Sequence, residues 1–192
     1  MATAIAAAAI AATVLLTDAN SSDRRPLVAC GPKLDFEHPE RFRAFKLYAL
    51  GCGWRGHRLD NVLYANQSVP RGWPEPRPRK LTIVDFLYGT APRYSAWPLA
   101  VQIWPACQRN RAIISLRPRD TTVRGVPAAW YEGRGRLEIY TGRVTIVLFG
   151  SGLSSRQLRE AADDLEGVNN STRPDEDLPP PVPGAIAGKL KC

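Results

Sequence analysis

Cys52 and His57 lie five residues apart, and a thiol within reach of an imidazole is the minimum equipment for nucleophilic catalysis. The base takes the proton and the thiolate attacks. The 192-residue chain has only one other histidine, His38, and three other cysteines, Cys30, Cys107 and Cys192. Near-neutral acid–base chemistry therefore has two candidate side chains. Gly51, Gly53 and Gly56 surround the Cys52–His57 pair and read as a turn. A zinc set drawn from Cys30, Cys52, His57 and Cys107 lacks ligand spacing, so neither metal nor cofactor is expected. Gly150-Ser151-Gly152 could open an anion-binding helix start. It lacks the lysine of a P-loop and the glycine spacing of a dinucleotide fold, and it reads as a strand-to-helix turn.

The same four cysteines can instead staple the chain. An even count allows three complete pairings. Cys52 and Cys107 both fall in the central region and form the preferred disulfide, while Cys30 and Cys192 lie on flanking segments and could pair or stay free. Buried free thiols in a reducing compartment are the other reading. A Cys52 engaged in a disulfide is no nucleophile.

Charge is the second source of candidates. The net charge is +8, but residues 20–159 hold 23 Lys and Arg against 10 Asp and Glu, and residues from 160 onward hold 3 against 7. Arginine makes up 21 of the 26 basic residues, and alanine and proline are abundant, as a G+C-rich genome would encode. Arg71, Arg77, Arg79 and Lys80 cluster in a proline-rich loop with Trp73. Arg109, Arg111, Arg117 and Arg119 form a second run. Basic residues beside aromatics can hold nucleic acid or another anionic polymer. No helix-turn-helix, RNP or zinc-finger pattern supports nucleic acid. The 71–80 loop is the expected contact surface, facing an anionic envelope surface or another envelope protein.

The elements that must carry these residues are legible in part. Residues 144–149 are apolar at five of six positions and predict a central strand. Leu137 and Ile139 alternate at period two, and Thr141-Gly142-Arg143 makes a tight turn in which Gly142 takes a positive φ. Residues 81–88, 99–104, 113–116 and 128–131 read as further strands, with a turn at 132–135. Trp104 and Trp130 fall in strands and are expected in the core. Ser154 and Gln157 form a capping box, and Leu153 and Leu158 a hydrophobic staple. Leu158, Ala161, Ala162 and Leu165 give one apolar stripe, and Gly167 is the expected C-cap. The expected class is α+β: an antiparallel sheet with a C-terminal helix packed on one face.

Val123-Arg124-Gly125-Val126-Pro127-Ala128, two strands, and the helix start Leu153-Ser154-Ser155-Arg156-Gln157-Leu158 together resemble a domain of unknown function found in bacterial extracytoplasmic proteins. Some of those domains stand at the C-termini of anti-sigma-factor-like or sporulation-associated proteins. The resemblance covers about the last third of the folded part and implies a fold and a compartment, without catalytic residues. The family's usual tryptophan after the first turn is replaced here by Leu137 and Ile139.

The flanks differ from the middle. Residues 2–16 are wholly apolar or small, too short for a span of about 20 residues and similar to the apolar core of a signal peptide. No Lys or Arg precedes them, whereas Arg24-Arg25 follow. Leu27-Val28-Ala29-Cys30 spells a lipobox, but the intervening residues 17–26 carry four charges, which argues against lipidation of Cys30. Residues 168–192 are proline-rich with three consecutive acids and read as disordered. The expected organisation is a signal peptide or anchor over 1–22, one α+β domain over 23–167 and a disordered tail over 168–192. The expected function is a non-catalytic binding or sensory domain, secreted or membrane-anchored, of a G+C-rich bacterium. A small thiol enzyme or hydrolase using Cys52 and His57, or a purely structural accessory domain, are the alternatives.

Overall fold

Alternation of side chains at period two governs this chain more fully than its helix does. The computed structural model describes residues 27–30, 35–73, 78–91, 97–111, 118–131 and 135–192. Ten strands are described: β1 (Tyr48–Ala49), β2 (Gly53–Trp54), β3 (His57–Ser68), β4 (Lys80–Tyr88), β5 (Leu99–Pro105), β6 (Arg119–Val123), β7 (Val126–Tyr131), β8 (Arg136–Thr141), β9 (Val144–Phe149) and β10 (Glu166–Gly167). Eight of them form one antiparallel sheet in the order β2-β3-β4-β5-β9-β8-β7-β6. Two meanders, β2 to β5 and β6 to β9, thus meet edge to edge where β5 pairs with β9. Strands β1 and β10 make a separate two-stranded pair. Arg55 and Gly56 (φ 47° and 82°) turn β2 into β3, Arg124 and Gly125 (φ 45° and 79°) turn β6 into β7, and Gly142 (φ 49°) turns β8 into β9 as its position predicts.

The protein is mostly β, which corrects the α+β expectation. The one α-helix among the described residues, α1 (Ser155–Asp163), has nine residues. It buries Leu158, Ala161 and Ala162 in the main core cluster, but most of that cluster's cover is irregular chain: Leu27, Leu47, Leu50, Leu165 and Leu178 join Val62, Val84, Phe86, Val101, Ile139 and Ile146. The capping box is present, with the Gln157 N–H donating to the Ser154 hydroxyl (3.3 Å) and the Ser154 N–H to Gln157 Oε1 (2.9 Å). The helix ends at Asp164, and Gly167 belongs to β10 rather than serving as the C-cap.

The opposite face of the sheet holds Leu81, Ile83, Trp104 and Val147, and then, toward β7, Glu138, Tyr140, Ala129 and Tyr131. Trp104 and Trp130 are both buried, on opposite faces. The expectation of a disordered 168–192 is also overturned. This segment is an ordered strap. The Gly142 N–H and the Thr141 hydroxyl donate to the Pro179 carbonyl (3.0 and 2.6 Å), and the Val182 N–H returns to the Gly142 carbonyl (2.9 Å). Leu178 and Ala185 are buried, and Ile186 packs on the Ala129–Tyr131–Tyr140 cluster. Proline lacks an N–H but keeps its carbonyl, and here turn residues supply the donors. Arg124 clamps the start of the strap, giving hydrogen bonds to the carbonyls of Leu165, Arg173 and Glu176.

The expected Cys52–Cys107 bridge is replaced by two others, Cys30–Cys52 and Cys107–Cys192. The strap carries Cys192 back to the turn after β5, and residues 27–30 bring Cys30 to the turn before β2. Residues 1–26, the strand expected over 113–116 and most of the turn expected over 132–135 lie outside the described residues.

Candidate functional site

The loop between β3 and β4 is where the sequence places its contact surface, and its residues divide. Arg71 is exposed in a turn closed by the Trp73 N–H donating to the Pro70 carbonyl (3.3 Å), with Gly72 at φ 82°. Trp73 folds inward and packs against the cluster of Val69, Leu81, Ile83, Trp104 and Val147. It therefore anchors the loop. Arg77 lies outside the described residues. Arg79 and Lys80 are exposed where the chain re-enters the sheet.

These last two line an open pocket of about 480 Å³. Three stretches build it. The loop gives Pro78, Arg79 and Lys80; the turn after β5 gives Cys107 and Gln108; the strap gives Leu190, Lys191 and Cys192. The β5 turn is closed by the Gln108 N–H donating to the Pro105 carbonyl (2.8 Å) and is tied to the rest of the sheet by the Thr82 N–H donating to Gln108 Oε1 (2.7 Å) and the Ala106 N–H to the Arg143 carbonyl (2.8 Å). The Cys107–Cys192 disulfide fastens the strap to that turn. Three cations, Arg79, Lys80 and Lys191, thus border one cavity, and none of the lining side chains is acidic. Sequence reasoning found Arg79, Lys80 and Cys107. It missed Lys191, because a tail expected to be disordered has no fixed place; the signal was Cys192 beside Lys191, a cysteine able to pin that end.

Two arginines of the second basic run, Arg109 and Arg111, are engaged by the fold itself. Glu138 on β8 is fully buried and accepts from Arg109 Nε (3.1 Å) and Nη2. Arg136 Nε lies 3.4 Å from the same oxygen, and the Tyr140 hydroxyl donates to Oε2 (3.3 Å). Arg109 also covers the Trp104 ring, Arg136 the Tyr131 ring and Arg111 the Tyr140 ring, at 4.0 to 5.3 Å from the ring centres. Arg111 pairs with Asp120 at 2.7 Å. Burial, then the Glu138 charge, pushes the Tyr140 phenol far above its ordinary value. Arg109 and Arg111 are therefore internal cross-links. Arg117 lies outside the described residues, and Arg119 stands on the edge strand β6.

A carboxyl group is displaced as well. Asp85 on β4 lies on the same face as Trp104 and is raised by burial to about 6, while a hydrogen bond from Gln102 pulls the other way. Its Oδ1 is buried without a partner.

At the Cys52–His57 turn, the Leu59 N–H donates to the Cys52 carbonyl (2.8 Å), and Gly51 and Gly56 take positive φ. All four cysteines are in disulfides. Cys52 therefore has no thiolate to offer in this form. The two bridges fit an oxidising setting. Among the described residues, no three His, Cys, Asp or Glu side chains gather as metal ligands, and no helix is long and apolar enough to cross a membrane.

No protein-family model, curated protein or solved structure matches this chain.

Proposed function

We propose that this protein is a non-catalytic, extracytoplasmic binding domain that engages an anionic envelope surface through its basic end. The observation that carries the reading is the meeting of Arg79 and Lys80 with Lys191 around an open pocket that has no acidic lining side chain. Arg71, exposed in the same loop, extends the positive charge. The ion pairs of Arg109 with Glu138 and of Arg111 with Asp120 support this choice of surface, because they engage two arginines of the competing basic run with carboxylates of the fold itself. The two disulfides support the compartment. A thiol-enzyme reading needs a free Cys52, which the Cys30 bond removes.

Each Lys or Arg close to an anionic surface contributes about 1 kcal/mol. Reversing Arg71, Arg79 and Lys80 to Glu removes at least about 3 kcal/mol, or roughly 100-fold in affinity. Co-sedimentation with vesicles of phosphatidylglycerol and phosphatidylcholine, and with wall material, measures it at low salt, where screening is weakest. Equal binding by the triple variant places the contact surface elsewhere.

A further inference from the structure

We infer that the pocket bordered by Arg79, Lys80 and Lys191 is a phosphate-ester site that is complete only while Cys107 and Cys192 are joined. This rests on the reading of the basic end as an anion-binding surface, and it adds the ligand's chemistry and its control. A volume of about 480 Å³ is that of a small-molecule site rather than of a bare anion. Three cations suit a phosphate, and Pro78, Leu190 and the disulfide itself give the carbon part of an ester an apolar wall.

The dependence on the disulfide follows from how the strap is held. Its last backbone hydrogen bond among the described residues runs from the Lys189 N–H to the Gly184 carbonyl (2.9 Å), within the strap itself. Farther back, the Arg111 N–H donates to the Ile186 carbonyl (3.2 Å). Beyond residue 189, the Cys107–Cys192 bond is the covalent tie to the β5 turn. Opening it releases Lys191 and Leu190, one of three cations and one of the apolar walls. The bond is also the more accessible of the two: Cys192 is exposed, whereas Cys30 of the other bridge is buried in the core.

A dithiol reductant opens it by exchange. One reductant thiolate attacks Sγ of Cys192 and displaces the Cys107 thiolate, which takes up a proton. The reductant's second thiolate then attacks its own sulfur in the mixed disulfide and releases the Cys192 thiolate, which is protonated in turn. Two electrons and two protons reach the protein, and the reductant leaves as a cyclic disulfide.

The test uses the full oxidised chain, with calorimetry against inorganic phosphate and glycerol 3-phosphate and co-sedimentation with phosphatidylglycerol vesicles. The three probes separate a free anion, a soluble ester and a lipid headgroup. Glycerol 3-phosphate is expected to bind more tightly than inorganic phosphate. The Cys107→Ser/Cys192→Ser variant, with Cys30–Cys52 intact, is expected to bind at least tenfold more weakly, as is Lys191→Glu with both disulfides in place. Lys46→Ala, on the exposed segment before β1, leaves binding unchanged.

Equal binding by the double-serine variant overturns the redox dependence. Absence of phosphate or ester binding by the oxidised chain overturns the site, while charge-sensitive vesicle binding would still uphold the surface reading. Ester binding together with vesicle binding that ignores charge reversal overturns the surface reading alone. If the double-serine variant does not fold, a redox titration of the wild type decides. A ligand that prefers the oxidised form tenfold lowers the midpoint by about 30 mV, and an unmoved midpoint at saturating glycerol 3-phosphate refutes the coupling.

Discussion

Glu138 puts the physical reasoning at greatest risk, because its carboxylate is fully buried and faces two guanidinium groups. The perturbation is Glu138→Gln, which keeps the shape and removes the charge. At an effective dielectric near 20, a charge pair at the 3.1 Å of Arg109 Nε contributes about 5 kcal/mol, and Arg136 at 3.4 Å contributes about the same. Against this stands the cost of desolvating the carboxylate, several kcal/mol, which the glutamine variant no longer bears. The side chains of Arg109 and Arg136 are only 15% and 10% exposed, so neither can escape to water without dismantling its stack on Trp104 or Tyr131. The expected net loss is about 3–5 kcal/mol, the range for breaking one member of a buried pair. Glu160→Gln is the internal control. Its carboxylate also meets two arginines, Arg55 at 2.7 Å and Arg156 at 3.1 Å, but those side chains are 53% and 88% exposed, so the loss is below about 1 kcal/mol. Urea denaturation followed by tryptophan fluorescence measures both, with Trp104 beneath Arg109 as a local reporter. Similar losses for the two variants, or a Glu138→Gln loss under about 1 kcal/mol, would refute the claim that burial decides the strength of these pairs.

Three further outcomes are expected. Asp85→Asn removes a carboxyl that burial raises from 3.8 to about 6; because the folded state holds that proton more tightly than the unfolded chain, the wild type gains stability as pH falls through about 6 toward 4 and loses it as pH rises. The variant is therefore more stable at pH 8 by up to about 3 kcal/mol, and identical pH slopes for the two proteins from 4 to 8 would sink the assignment. Ser154→Ala deletes half of the capping box and lowers stability by about 1 kcal/mol, with a null result in thermal denaturation arguing that α1 is held by packing alone. Serine replacement of Cys107 and Cys192 costs about 4–5 kcal/mol and of Cys30 and Cys52 about 3, because the closed loops span 85 and 22 residues; the reverse order in guanidinium denaturation would show that native strain outweighs chain entropy.

The hairpins nearest the C-terminus were legible for a physical reason. Residues 136–149 carry alternation in the first strand and a nearly continuous apolar run in the second, with a glycine where the backbone needs positive φ and a capping box after them, so local propensity and tertiary burial agree. Strand β3 was not legible. Its sequence, HRLDNVLYANQS, mixes polar and apolar residues because it lies near the sheet edge and is exposed along its second half. Strand β6 was hidden among arginines for the same reason. These two unread strands separate an α+β expectation from the mostly-β protein observed. The strap failed differently: its composition cannot build a core, but it can dock on one that exists, and the Gly142 and Thr141 donors lie in another hairpin. The candidate pocket inherits that failure. Arg79 and Lys80 are visible as a charge cluster, whereas Lys191 joins them only through a bridge whose partner no spacing rule could name.

The two disulfides also set how the chain would carry a pulling force. Tension applied between residues 30 and 192 passes through Cys30 to Cys52, along the backbone to Cys107, and out through Cys192. Once the sheet has been pulled apart, only the stretch holding β2 to β5 lies on this covalent path, while β6 to β9, α1 and the strap fall within the loop closed by the second bridge. Opening the Cys107–Cys192 bond would bring those 85 residues into the line of force and multiply the reach of the chain. Its redox state thus acts as a length switch as well as a lock.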